Sequence, residues 1–181
     1  LKPEENTTFE AGLEFNTKKG IRLNGVYFNR YEERTIIYTT AYANATTDAT
    51  VRGFEFEASI NLIKDLGFSA NYSFTEIKDG VRLRVPKHKV NVSLGYNLCE
   101  NTFASLNYQL VGGRTDLDFI TFENVELESF SLIDLYFSHK LIHNKLKLFA
   151  SITNIFNEDY FEILGYTTKG RNVSLGLNIN L

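Results

Sequence analysis

Strict alternation of apolar and polar side chains, sustained over segments of about ten residues, constrains this chain more than any other feature. Between Leu66 and Thr75 one face carries Leu66, Phe68, Ala70, Tyr72 and Phe74, and the other carries Gly67, Ser69, Asn71, Ser73 and Thr75. A helix would scatter these two sets around its circumference, whereas a strand separates them. The same rhythm runs through Phe9 to Asn16, Gly53 to Leu62, Lys89 to Leu98, Ala104 to Leu110, Ile133 to Ser138, Leu146 to Thr153 and Val173 to Leu181. The stretch Ile21 to Tyr31 is blurred by Val26 and Phe28, but its length and position fit a ninth strand.

Any one such segment could be a half-buried strand of a soluble sandwich. Nine in succession shift the balance, because sandwich strands usually have about five or six residues. Segments of about nine to eleven residues are the length at which a tilted strand crosses a bilayer. No run of eighteen apolar residues occurs and the mean hydropathy is -0.20, so helices could not do the crossing. In lipid, strands must then close into a barrel to satisfy their backbone groups. The polar faces mix Asn, Ser and Gly with charges such as Glu55 and Glu57, as a wet lumen requires.

The connections carry a second rhythm. Short links at Lys18–Gly20, Lys64–Asp65, Cys99–Asn101 and Ile142–Lys145 alternate with long ones at about Glu32–Thr50, Ile77–Lys87, Gly113–Ser129 and Ile155–Lys169. Outer-membrane barrels show this asymmetry, with short periplasmic turns and long extracellular loops. The fold expected is all-β: antiparallel transmembrane β-barrel strands. Nine strands cannot close by antiparallel pairing, since single-chain bacterial barrels have an even number. The absence of a charged-then-apolar leader before Leu1 fits the same expectation, that further strands lie upstream or on another chain.

Several stretches then resemble the barrels of TonB-dependent outer-membrane receptors. Leu1-Lys2-Pro3-Glu4 with Glu10 and Gly12 resembles their LxPExxxxxExG stretch, and Tyr42-Ala43-Asn44 leading to Gly53-Phe54-Glu55 resembles a YxNxxxxxxxGxE strand entry. Arg84-Val85-Pro86-Lys87-His88-Lys89 resembles RxPxHK. Asn154 to Tyr160 resembles the NLFNxxY motif, and Gly165-Tyr166 with Gly170-Arg171-Asn172 resembles the entry to the last strand. The terminal Leu181 departs from the family's usual Phe or Trp.

The resemblance implies about nine C-terminal strands of a 22-stranded barrel whose lumen is plugged, with plug and remaining strands outside residues 1–181. It implies an active-transport receptor in a Gram-negative outer membrane, closest in look to the cobalamin- and siderophore-receptor branch. Its ligand would be a small molecule or metal chelate such as a ferric siderophore, haem or cobalamin. Partners would be TonB, reached through the plug, and outer-membrane lipid with lipopolysaccharide. The alternative from another class is a structural or adhesive β-protein, or a passive porin-like pore.

Catalytic chemistry is not expected. His88, His139 and His143 have no Cys or carboxylate at ligand spacing, and the lone Cys99 excludes an internal disulfide. Glu10 with Glu14, and Glu55 with Glu57, share a face at strand spacing, which suits facing basic groups better than acid–base work. Asp116, Asp118 and Glu123 could bind a cation, though a solvated acidic loop is preferred. Gly112-Gly113-Arg114 lacks a phosphate-loop context. The net charge of -3 argues against nucleic-acid binding. No metal site or cofactor is expected. Tyr27, Tyr31, Tyr72, Tyr96, Tyr108 and Phe137 are candidates for the aromatic girdles at the membrane interfaces. For ligand contact the candidates are Tyr38, Tyr42, Arg114 and Asp118.

Overall fold

The computed structural model describes residues 1–18, 20–38, 41–80, 82–142 and 145–179, so Lys19, His143 and Leu181 lie outside the described residues. Nine long strands form one antiparallel sheet: β1 (Glu5–Asn16), β2 (Ile21–Glu33), β5 (Ala49–Ile63), β6 (Leu66–Lys78), β7 (His88–Cys99), β8 (Thr102–Val111), β11 (Phe130–Leu141), β12 (Leu146–Thr153) and β13 (Asn172–Ile179). Each pairs with its neighbours in chain order, leaving β1 and β13 at the two edges. The remaining four strands are short. They make two hairpins, β3 (Ile36–Tyr38) with β4 (Tyr42–Asn44) and β9 (Arg114–Leu117) with β10 (Asn124–Leu127).

These hairpins lie within two of the long connections, those from β2 to β5 and from β8 to β11. Three or four residues are too few for an alternating pattern to show. The main strands also run past their expected limits at the loop end, β5 beginning at Ala49 and β6 continuing to Lys78. The short links sit at one end of the sheet and the long ones at the other, as the alternation of connection lengths requires for antiparallel neighbours. Among the described residues no helix is long and apolar enough to cross a membrane.

The sheet's register sorts its side chains into two faces. On one, Phe56 pairs with Tyr72, Ala70 with Val92, and Leu94 with Leu106. These belong to an apolar surface that solvent would touch directly: Leu13 is 85% and Leu175 80% exposed. A soluble protein would not leave a continuous belt of this kind uncovered, but lipid covers it at no cost. All six girdle candidates lie on this face, Tyr27 at the middle of β2 and Tyr31 toward its loop end, and Tyr96 and Phe137 toward the turn end of β7 and β11.

The other face is polar and lightly knit. Asn91 donates to Asn71 Oδ1 at 2.8 Å, Ser93 to Asn107 Oδ1 at 2.7 Å, and Gln109 to Asn91 Oδ1 at 3.3 Å. Val26 and Phe28, which blurred the pattern of β2, belong to this face because Val26 pairs with Gly12 and with Glu55. Their room comes from glycines. A Cβ on Gly53 would stand 2.8 Å from the Phe28 ring and 1.9 Å from the Phe74 carbonyl oxygen, so no side chain fits there. At the far edge, a Cβ on Gly176 would meet the Phe149 ring at 2.2 Å.

Candidate functional site

Arginines join the four long connections at the loop end. Arg82, in the link from β6 to β7, donates to Thr35 Oγ1 at 2.8 Å and ion-pairs with Glu32, so it ties that link to the exit of β2. Nearby, Arg34 takes left-handed backbone (φ 54°), donates to the Pro3 carbonyl at 3.2 Å and pairs with Glu5. Asn44 completes this corner, donating to the carbonyls of Arg34 at 2.6 Å and Lys2 at 2.9 Å. The first residues of the chain, with their Pro-Glu motif, therefore brace the β3–β4 hairpin.

Two positions further on, Arg84 turns the other way. Its backbone N–H donates to the Thr115 carbonyl at 2.8 Å, and its Nε donates to Asp116 Oδ1 at 2.8 Å. Asp116 is fully buried, yet its oxygens are well used: Oδ1 also accepts from Leu117 N at 2.9 Å, and Oδ2 from Leu164 N at 2.8 Å. Burial alone would push this carboxyl up. The two backbone N–H groups and the Arg84 guanidinium outweigh it and hold Asp116 below the usual carboxylate range. One side chain thus binds three separate connections.

Arg114, also buried, fastens the same joint from below. Its guanidinium donates to the carbonyls of Glu128 at 3.4 Å and Glu162 at 3.3 Å, and to that of Phe161. It lies 5.3 Å from the centre of the Phe130 ring, which in turn packs at 4.4 Å against Tyr160. The turn leading there is built on Asn154, a buried residue in left-handed backbone (φ 51°). Asn154 Nδ2 donates to the Glu158 carbonyl at 2.9 Å, its Oδ1 accepts from Glu158 N at 2.8 Å, and its N–H donates to Asp134 Oδ1 at 2.8 Å. Asn157 repeats the device, accepting from Arg171 N at 2.8 Å. The NLFNxxY-like stretch is a folding element: its asparagines shape the last long connection.

The four ligand-contact candidates occupy different settings. Tyr38 and Tyr42 pair across the tip of β3–β4, their rings 5.1 Å apart edge-on, 52% and 69% exposed. They are open to a ligand. Arg114 and Asp118 share the β9–β10 hairpin but both are engaged internally. Asp118 Oδ1 accepts from Ile120 N at 2.7 Å and Thr121 N at 3.3 Å, closing the hairpin's turn. That turn exposes Phe119, Ile120 and Phe122, the middle one by 90%, apolar groups that sequence reasoning passed over.

Other expectations fall out differently. The solvated reading of the acidic loop fails for Asp116, which is fully buried, because Arg84 and two amides replace water around it. Glu14 does face a basic group, Arg22, at 3.4 Å across β1–β2. His88 accepts or donates at Tyr72 Oη (2.8 Å) and His139 at Thr102 Oγ1 (2.8 Å). Among the described residues no three His, Cys, Asp or Glu side chains gather as a metal cluster. On the polar face beneath the loops a recess of about 520 Å³ opens, with Val26, Phe28, Val51 and Ile77 as apolar floor and Glu55 and Arg82 at its edge.

Comparison with known proteins places this arrangement. A family model described as "TonB dependent receptor-like, beta-barrel" matches residues 1–155. Among solved structures, the ferric-catecholate import receptor Fiu of E. coli K12 superposes with a TM-score of 0.80 at 18% identity, covering 99% of this chain and 28% of that one. The FrpB iron transporter of Neisseria meningitidis gives 0.78 at 20% identity, covering 97% and 31%. The ferripyoverdine receptor of Pseudomonas aeruginosa gives 0.81 at 19%, covering 98% and 27%. Residues 1–181 therefore span a little under a third of the length of each.

Proposed function

Because the chain belongs to the β-barrel family of TonB-dependent receptors, we propose that it supplies wall and outer loops to an outer-membrane receptor that imports a scarce ligand, with energy delivered through TonB. The ligand class is a ferric siderophore, haem or cobalamin, and the names of the similar solved structures favour an iron chelate. The observation that carries the reading is the joined set of long connections, held by Arg82, Arg84 and Arg114 above a polar inner face. A receptor needs its ligand-facing groups held in place, and these joints do that for the long connections. Tyr38 and Tyr42 contact the ligand in this reading; Arg114 and Asp118 position the loops that do so. Further strands complete the barrel beyond β1 and β13, and a plug with its TonB box fills it.

The test uses the full-length protein that contains this chain. A deletion strain is grown on defined ferric siderophore, haem and cobalamin sources, and the protein is extracted from outer membranes. The reading expects loss of growth on one source, restored by the intact gene, and extraction only with detergent. Recovery in the soluble fraction, or growth unimpaired on every source, defeats it.

A further inference from the structure

The link from β6 to β7 carries two arginines, two positions apart, that reach in opposite directions. In the sheet this link stands between the connection from β2 to β5 and the one from β8 to β11. On one side Arg82 donates to Thr35 Oγ1 at 2.8 Å and ion-pairs with Glu32, so it grips the residue directly before β3. On the other side the Arg84 backbone N–H donates to the Thr115 carbonyl, and its Nε to Asp116 Oδ1, each at 2.8 Å, so it grips β9. Both grips fall on hairpin bases. Ala45 N, just after β4, donates to the Thr35 carbonyl at 2.7 Å, and Asp116 Oδ2 accepts from Leu164 N in the last connection. Two residues of chain span at most about 7 Å, so neither base can shift far without pulling on the other.

The backbone at these grips is strained. In an extended chain, residues two apart point the same way. Arg84 instead takes left-handed backbone (φ 65°), a conformation that costs a bulky residue free energy and persists only where its surroundings hold it. Leu83, between the two arginines, is exposed, so the grips themselves carry much of that holding. Release of one lets Arg84 return toward ordinary backbone, and the return withdraws the other. We propose that Arg82–Arg84 is a two-sided clasp that makes the β3–β4 and β9–β10 hairpins one cooperative unit, held together or released together. The hairpin that presents Tyr38 and Tyr42 thereby takes its order from the Asp116 joint, and whatever steadies one steadies the other. Use of the clasp in gripping a ligand rests on the receptor reading; the coupling itself does not.

The test needs no ligand. Hydrogen–deuterium exchange resolved to single amides is followed in the full-length protein in detergent micelles, and heat-modifiable gel migration verifies that each variant is folded. Arg82→Ala should speed exchange at Leu117 and Leu164, amides bonded to Asp116 and not to Arg82, by about fivefold or more, the lower end of ordinary coupling between sites. Coupling is reciprocal, so Asp116→Asn should speed Ala45 by the same order. In the double variant Arg82→Ala should add nothing at Leu164, because the clasp is already open. Asp118→Asn, which loosens only the far turn of β9–β10, should leave Ala45 unchanged. Where Arg82→Ala fails to fold, Thr35→Val removes one acceptor of Arg82 and should move Leu164 the same way by less. Unchanged exchange at the remote amides, or single effects that multiply in the double variant, would reveal two independent joints and overturn the clasp. A faster Ala45 in Asp118→Asn overturns it too, by showing general loosening. Failure here leaves the receptor reading standing, since growth and detergent extraction decide that separately.

Discussion

Asp116 gathers a guanidinium and two amide N–H groups from three connections at a point water does not reach. Its loss should therefore loosen loops rather than wall. Hydrogen bonds to a charged group contribute about 1.5–3 kcal/mol each. Asp116→Asn is expected to speed amide exchange at Leu117 and Leu164 by at least about tenfold, while the heat-modifiable migration of the barrel stays unchanged; equal exchange in both proteins would show that the joint is idle. The pH dependence has a fixed sign. A carboxyl held below its ordinary value stabilises the joint wherever the unfolded group is ionised, and that contribution is lost as pH falls through the lowered folded value. Protection at Leu164 should hold steady from neutral pH to about 5 and fail only below about 4. Asn154 invites a second substitution. Asn154→Ala removes both contacts to Glu158 and leaves a methyl side chain in left-handed backbone, a cost of about 2–3 kcal/mol. Refolding yield into lipid should fall accordingly, and unaltered urea stability would refute the pivot role. Arg84 and Asn154 were both legible as members of motifs, but their partners were not. Asp116 lies 32 residues from Arg84, and no local pattern announces a contact at that range.

The nine long strands were legible because alternation is a local property: two residues on, the same face returns. What the alternation could not give was which side chains on a face would meet, and that is why Val26 and Phe28 looked like errors. They are inner-face residues seated over Gly12 and Gly53, and the fit depends on pairing across β1, β2 and β5. The hairpins β3–β4 and β9–β10 escaped notice for the opposite reason, being too short to show a period. Face assignment itself is testable. Leu94 pairs with Phe68 and Leu106 on the apolar face, near the middle of β7, whereas Ser69 on β6 faces inward. An arginine at the bilayer midplane costs about 2–4 kcal/mol, and one in a wet lumen costs far less. Leu94→Arg should reduce folding stability in lipid vesicles by that amount, while Ser69→Arg stays within about 1 kcal/mol of the parent. Equal penalties at the two sites would mean that the faces have been assigned wrongly.

At the scale of the whole molecule, the sheet's two edges decide what the chain can do by itself. β1 and β13 each use only one side of their backbone ladder, and the apolar residues of both are among the most exposed, with Leu13 at 85% and Leu175 at 80%. Unpaired N–H and C=O groups on a long, flat, apolar edge are costly in lipid and adhesive in water. Nor can the two edges satisfy each other. β1 runs toward the short turns, and so does β13, since it follows the last long connection; meeting, they would pair in parallel, against the antiparallel order of every other ladder in the sheet. In the proposed barrel, strands from outside residues 1–181 would cover both edges, with places for about thirteen of them. Residues 1–181 expressed alone and refolded into detergent should therefore form heterogeneous, protease-sensitive assemblies with no compact band on an unheated gel. The full-length protein, handled identically, should give one heat-modifiable monomer. A compact, protease-resistant monomer from residues 1–181 alone would show that the nine strands close on themselves, and would remove the need for any partner strand.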